Sequence, residues 1–218
     1  MSRSLSESAN GTLFGVALNF QGLLRSRLEE FHEPPYQQPP LKPVLFIKTP
    51  NTRNGHQQPV IMPQGERLQA GPALGVVIGK RASRVTEDQA MGYVAGYTVV
   101  NEFSLPEESY YRPAVKAKCR DGFCSIGPEL VPAEAVSDPN LLTLKLYVNG
   151  TLRQENTTAN WVRTLPQLIA ELSEFMTLNE GDVLITGTPE GRIDVTPGDR
   201  VEVEIDRIGR LINTVVAE

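Results

Sequence analysis

The sequence predicts a mainly β fold with some α. The evidence is a repeating alternation at the C-terminal end of the chain. Leu142 to Val148 sets Leu142, Leu144, Leu146 and Val148 against Thr143, Lys145 and Tyr147, a period of two that marks a strand with one buried face. Asn149-Gly150 follows directly, the strongest short-range signal for a hairpin turn. Arg200 to Asp206 alternates again with Val201, Val203 and Ile205 inward, and Arg210 to Val216 returns after Gly209 as its hairpin partner.

The remaining elements follow in order. Residues 1–11 are polar and aperiodic and read as a loose tail, with residues 12–218 as one domain. Thr12 to Leu18 reads as a short strand. Asn19 then caps a brief helix carrying Leu23, Leu24, Leu28 and Phe31 on one side. Pro34 to Pro40 is irregular because proline removes donors and restricts its predecessor; it reads as a surface loop, with an extended ligand for another protein as the alternative. Val44 to Lys48, Leu74 to Gly79, Tyr93 to Phe103 and Leu184 to Gly187 are further strands. Thr86-x-x-Gln89 opens a short helix. The best helix starts with Pro166 in its first turn and places Leu165, Leu168, Ile169, Leu172 and Phe175 at helical spacing, all read as core.

Composition narrows the function. A 218-residue chain that is 40% hydrophobic is long enough to bury a sizeable core. The balance of 21 basic and 26 acidic residues, with no basic run, argues against nucleic acid as a partner. Residues 1–10 lack the apolar stretch of a secretory leader, and no apolar run approaches the roughly 20 residues of a membrane span. Cys119 and Cys124 fit neither a disulfide framework nor a zinc motif, so a cytoplasmic protein with reduced thiols is expected. His32 and His56 sit in polar or proline-rich segments without ligand spacing and read as solvent-exposed, with His56 on a pocket rim as the alternative. Gly187-Thr188-Pro189 follows a buried strand. Such a strand end offers a backbone N–H and a hydroxyl to a carboxylate or carbonyl oxygen.

Six segments in order resemble the fumarylacetoacetate hydrolase family. They are Phe46 to Thr52, Leu74 to Lys80, Ala95 to Asn101, Lys118 to Pro128, Val148 to Gln154 and Leu178 to Gly191. The resemblance implies that family's mixed β-sandwich roll. It implies a divalent cation such as Mg²⁺ that chelates a 2-oxo acid and stabilises an enolate. It also implies that Lys118 lies in the active site and that Lys48, Arg112, Arg120, Gly187 and Thr188 hold substrate carboxylates. Ser104 to Cys124 is distinctive within the family. It is similar to the first half of members made of two similar halves, which combine decarboxylase and isomerase activities in aromatic catabolism, and the chain has the length of one half.

The departures from that pattern fall at the chemistry. The positions of the family's three carboxylate ligands are Gly71, Ala73 and Glu102, so one carboxylate remains. The position of the family's acid/base histidine is Leu23, which cannot transfer a proton. The expectation is therefore a metal-free half. It has no cofactor of its own, it uses Glu102 and Lys118 as catalytic groups, and it works on a small 2-oxo or dicarboxylic acid. Its partner is a homologous metal-bearing subunit, or it forms a homo-oligomer. The alternatives are a non-catalytic structural or regulatory subunit and an acylpyruvate-type C–C hydrolase.

Overall fold

A computed structural model describes residues 5–218. Its strands are β1 (Leu13–Ala17), β2 (Val44–Lys48), β3 (Arg53–Asn54), β4 (Pro59–Met62), β5 (Leu68–Ala70), β6 (Pro72–Ile78), β7 (Val94–Glu102), β8 (Cys124–Ile126), β9 (Val131–Pro132), β10 (Thr143–Val148), β11 (Thr151–Thr157), β12 (Val183–Ile185), β13 (Ile193–Val195), β14 (Arg200–Ile205) and β15 (Gly209–Ala217). Its helices are α1 (Leu5–Ser8), α2 (Gln21–Ser26), α3 (Glu87–Ala90), α4 (Val115–Lys118) and α5 (Leu165–Phe175).

An eight-stranded sheet runs β2-β1-β12-β6-β7-β8-β3, with β9 beside β7; a five-stranded sheet runs β11-β10-β14-β15-β4; and β13 pairs with β5. Most neighbours are antiparallel, with β1 parallel to β12, β3 to β8 and β4 to β15. The alternation in β10 and β14 is realised: Leu144, Leu146, Val148, Val201, Val203 and Ile205 are all buried. Between β10 and β11, Asn149 (φ 52°) and Gly150 (φ 78°) both take the left-handed conformation that a two-residue hairpin requires.

The main core lies between the two large sheets. It joins Leu74, Val76 and Ile78 of β6 and Tyr97 and Val99 of β7 to Leu144, Val203 and Leu211, under the buried face of α5. The opposite face of the eight-stranded sheet carries a smaller apolar cluster with Ala73, Val77, Val100 and Ile185. Strand periodicity puts Glu102 on this second face, with Val100. The position next to Glu102 across the ladder is Gly71, whose carbonyl accepts from the Glu102 N–H at 2.8 Å.

Several expectations are corrected. Of the residues given to the α5 core face, Leu165, Leu168, Ile169 and Leu172 are fully buried, but Phe175 is 68% exposed. The helix overruns the core in its last turn, and the chain returns to pack Met176 and Leu178 instead. Leu172→Ala should therefore cost about 2–5 kcal/mol in urea unfolding. Phe175→Ser should stay within about 0.5 kcal/mol. Asn19 does not cap α2, whose N-cap is Phe20 without a side-chain bond. Its amide instead donates to the Thr186 carbonyl at 2.9 Å and accepts from the Arg163 N–H at 3.0 Å.

Of the expected tail, residues 1–4 lie outside the described residues. Leu5–Ser8 forms α1, Ala9 is buried, and Arg53 donates to the carbonyls of Ala9 and Gly11. Thr86 precedes α3 as expected, without a side-chain cap. His32 is exposed, while His56 is half-buried and accepts from the Ile212 N–H at 3.2 Å through Nδ1. Among the described residues, no helix is long and apolar enough to cross a membrane.

Candidate active site

Four chain segments bring charge to one point. Glu102 is the last residue of β7, Lys48 the last of β2 and Lys118 the last of α4, while Arg192 immediately precedes β13. Glu102 has no exposed surface. Lys48 Nζ lies 2.6 Å from its Oε1 and Lys118 Nζ lies 3.0 Å from its Oε2. Arg192 grips Glu102 twice, through Nη2 to Oε2 and through Nη1 to the backbone carbonyl at 2.7 Å. Burial alone would push the Glu102 carboxyl up. Arg192, Lys118 and Lys48 outweigh that and hold it below the ordinary carboxylate range. The reciprocal effect keeps the Arg192 guanidinium charged against its own desolvation.

Lys48 is a brace. Its ammonium donates to the carbonyls of Phe103 (2.7 Å), Lys118 (2.8 Å) and Phe123 (3.0 Å), which uses its three protons and ties the ends of β2, β7 and α4 together. Its burial depresses its pKa, and Glu102 opposes that shift. Lys118 is different. It also pairs with Glu107 at 2.9 Å, lies 4.4 Å from the Phe46 ring centroid, and reaches a cavity of about 310 Å³.

The cavity joins Glu102, Lys118 and Arg192 to Arg27, Glu107, Tyr110 and the strand-end residues Gly187 and Thr188. Its wall carries three cations (Arg27, Lys118, Arg192) against two carboxylates (Glu102, Glu107), so it favours an anion. Gly187 has φ +106°, and a Cβ there would lie 2.8 Å from the Val16 carbonyl oxygen; only glycine lets this strand end approach β1 so closely. The segment Pro106 to Tyr110 forms another wall. It is held from outside by Tyr36, whose hydroxyl accepts from the Tyr110 N–H at 2.6 Å and meets the Ser109 hydroxyl at 2.9 Å. Tyr36 also stands edge-on to Phe31 and Tyr111. Tyr36 of the proline-rich loop thus packs within the chain, while Pro34, Pro35, Gln37 and Gln38 are exposed. Burial, with Glu107 next in effect, pushes the Tyr110 phenol up to about 12.

Of the residues singled out in the sequence, Glu102, Lys118, Gly187 and Thr188 meet at this cavity. Lys48 stands behind it. Arg112 is exposed and lines neighbouring grooves, and Arg120 donates to the Lys116 carbonyl and faces Glu66 at 3.6 Å; neither lines the cavity. Both arginines fall on the outward side of the turn around α4, a distinction that residue type alone does not make. Arg27, Glu107 and Arg192 were not singled out. For Arg192 the available signal was a cation directly after the Gly187-to-Gly191 segment, in a chain lacking carboxylates at positions 71 and 73. Leu23, at the position where the resemblance expects a histidine, does line the cavity.

These residues do not fit a divalent cation. Such an ion needs several oxygen ligands, carboxylates foremost. Glu102 is the one carboxylate at the three expected positions, and both of its oxygens face cations. Ala73 is packed in the apolar cluster with Val77 and Ile185. At Gly71 an added Cβ would lie 2.6 Å from Arg192 Nη1. Among the described residues, no group of three or more His, Cys, Asp or Glu could hold a metal.

Comparison with known proteins gives a consistent set of relatives. The family profile described as fumarylacetoacetate (FAA) hydrolase C-terminal matches residues 12–216. The 4-hydroxyphenylacetate degradation bifunctional isomerase/decarboxylase of Salmonella dublin is 49% identical over 214 residues, which is 97% of this chain and 48% of that protein. The chain thus spans about half the length of this relative. Among solved structures, 2-hydroxyhepta-2,4-diene-1,7-dioate isomerase from Mycobacterium marinum superposes with a TM-score of 0.81 at 29% identity, covering 95% of this chain and 75% of that one. Maleylpyruvate hydrolase from Sphingobium sp. SYK-6, solved with manganese(II) and pyruvate, gives a TM-score of 0.79 at 30% identity, covering 96% of this chain and 71% of that one.

Proposed function

The chain belongs to the fumarylacetoacetate hydrolase family, and we propose that within it the chain is one half of a two-part isomerase/decarboxylase of 4-hydroxyphenylacetate degradation. The observation that carries this reading is the Glu107–Lys118–Glu102–Arg192 array closing one side of a positively charged cavity. The substrates are the enolisable dicarboxylic and tricarboxylic acids of that chemistry, 2-hydroxyhepta-2,4-diene-1,7-dioate and 5-oxopent-3-ene-1,2,5-tricarboxylate. In tautomerisation the enol O–H proton leaves and a proton is added at carbon. In decarboxylation a C–C bond breaks, CO₂ departs, and the electron pair comes to rest on an enolate oxygen.

This assigns the roles. The Lys118 ammonium donates to the enolate oxygen as charge develops there. Glu107, 2.9 Å from Lys118 and on the cavity wall, receives and returns the mobile proton. Glu102, expected from the sequence to move protons, instead orients the three cations: its carboxyl is fully buried, paired on both oxygens and too weakly basic for the task. Gly187 and Thr188 supply the donors at the strand end, and Arg27 attracts a distal carboxylate. The remaining half of the relatives' length is a homologous domain or subunit, and it carries the divalent cation that the manganese-bound relative supports for the family.

Leu23 on the cavity wall favours a second reading, a non-catalytic subunit that stabilises an active partner. It weighs equally against a C–C hydrolase, which needs an acid/base group to activate water. Turnover of 2-hydroxyhepta-2,4-diene-1,7-dioate, followed by its ultraviolet absorbance, decides among these. We expect turnover by the chain alone or with its homologous half, and Glu107→Gln should lower it by about 10²-fold. If a chain with an intact fold gives no turnover in either setting, or if Glu107→Gln changes nothing, this assignment is wrong.

A further inference from the structure

We propose that Arg192 is the resident cation of this site, binding the carboxylate of a planar 2-oxo acid without any metal ion. The inference rests on the site assigned above. Its warrant is the packing around Gly71. An ideal Cβ on Gly71 would lie 2.6 Å from Arg192 Nη1, 2.8 Å from the Glu102 carbonyl oxygen and 2.8 Å from Thr188 Cγ2. The guanidinium therefore fills the space that any side chain at position 71 would enter. A carboxylate on residue 71 and the present seat of Arg192 exclude one another.

The orientation of the group fits the role. Arg192 spends two N–H bonds on Glu102, one on the side chain and one on the backbone, which fixes the plane of the fork. A guanidinium has five N–H donors in rigid geometry, matched to a carboxylate approaching side-on. Arg192 lines the cavity and its side chain keeps 15% exposure, so part of the side chain is open to the substrate side. Thr188 and Lys118 line the same cavity. An anion seated on Arg192 thus meets an immovable charge in a partly desolvated pocket. A divalent ion would offer the same attraction, but it would need the ligands that Gly71 and Ala73 do not supply.

The probe is oxalate, a planar mimic of a 2-oxo acid enolate, titrated calorimetrically into the full chain in EDTA. Oxalate should bind in EDTA, and excess Mg²⁺ should change its Kd by less than twofold. Arg192→Met should weaken it at least tenfold, with Arg192→Lys recovering part of the loss. Gly71→Ala removes no charge, yet its Cβ should displace the guanidinium and weaken oxalate at least fivefold; this variant decides the matter if Arg192→Met fails to fold. No oxalate binding in EDTA, binding that requires Mg²⁺ or Mn²⁺, or full affinity in Gly71→Ala would each overturn the proposal. Dienoate turnover, by the chain alone or with its homologous half, in the absence of any oxalate binding in EDTA would sink the Arg192 proposal and leave the isomerase/decarboxylase reading standing. Arg192-dependent oxalate binding in EDTA, with no turnover alone or with the homologous half, would do the reverse.

Discussion

Glu102→Leu should destabilise the fold by about 3–5 kcal/mol, the usual cost of leaving buried charges without their counter-ion. Three cations converge on this one carboxylate, two of them with almost no exposed side-chain surface. Lys118 would keep Glu107, Lys48 its three carbonyls, and Arg192 the Glu102 backbone oxygen, so the loss would be partial rather than complete. Against a typical stability of about 5–15 kcal/mol the effect remains large. For a chain of this length it should appear as a fall in melting temperature on the order of 10 °C. Glu102→Gln keeps an acceptor but not the charge and should fall between. The pH dependence has a definite sign. The folded carboxyl titrates below its unfolded value, so Glu102 stabilises fully above the unfolded value of about 4.3 and loses that contribution as pH falls toward its native one. Glu102→Leu should therefore flatten the acid limb of stability against pH. A melt within 2 °C of wild type at neutral pH would show that the cations are satisfied elsewhere.

The parts of the fold legible in the sequence were those set by local periodicity. Leu144, Leu146, Val201 and Val203 declare their buried face through a period of two, and Asn149-Gly150 declares its turn through backbone conformations few residues adopt. Glu102 was legible because it directly follows the Ala95-to-Asn101 motif inside the strand read over Tyr93 to Phe103. Arg192 was not, because its role depends on a partner 90 positions away and on the absence of a side chain at Gly71. Lys48 shows the same limit: it was read as a substrate-binding cation, but its protons go to three carbonyls from separate segments. Phe175 has the helical spacing of a core residue and misses the core, because helix length and core length are set by different parts of the chain. In each case the deciding information was a long-range contact, whereas sequence patterns report only neighbours.

Lys118 is where anchoring and chemistry separate. Lys118→Met should lower kcat on the dienoate by about 10²–10⁴-fold, the range for losing a positioned proton donor. Its effect on melting should be much smaller than that of Glu102→Leu, because Glu102 retains Lys48 and Arg192. The geometry also predicts how the conservative variant divides. Lys118→Arg keeps the positive charge between Glu102 and Glu107 and so should hold KM near wild type. An arginine does not deprotonate in this range, so kcat should remain depressed if Lys118 exchanges a proton with Glu107. Recovery of both constants in Lys118→Arg would mean that the residue acts only through its charge. Wild-type kcat in Lys118→Met would remove Lys118 from the mechanism and leave Arg192 and Arg27 as the cavity cations on which an enolate could form.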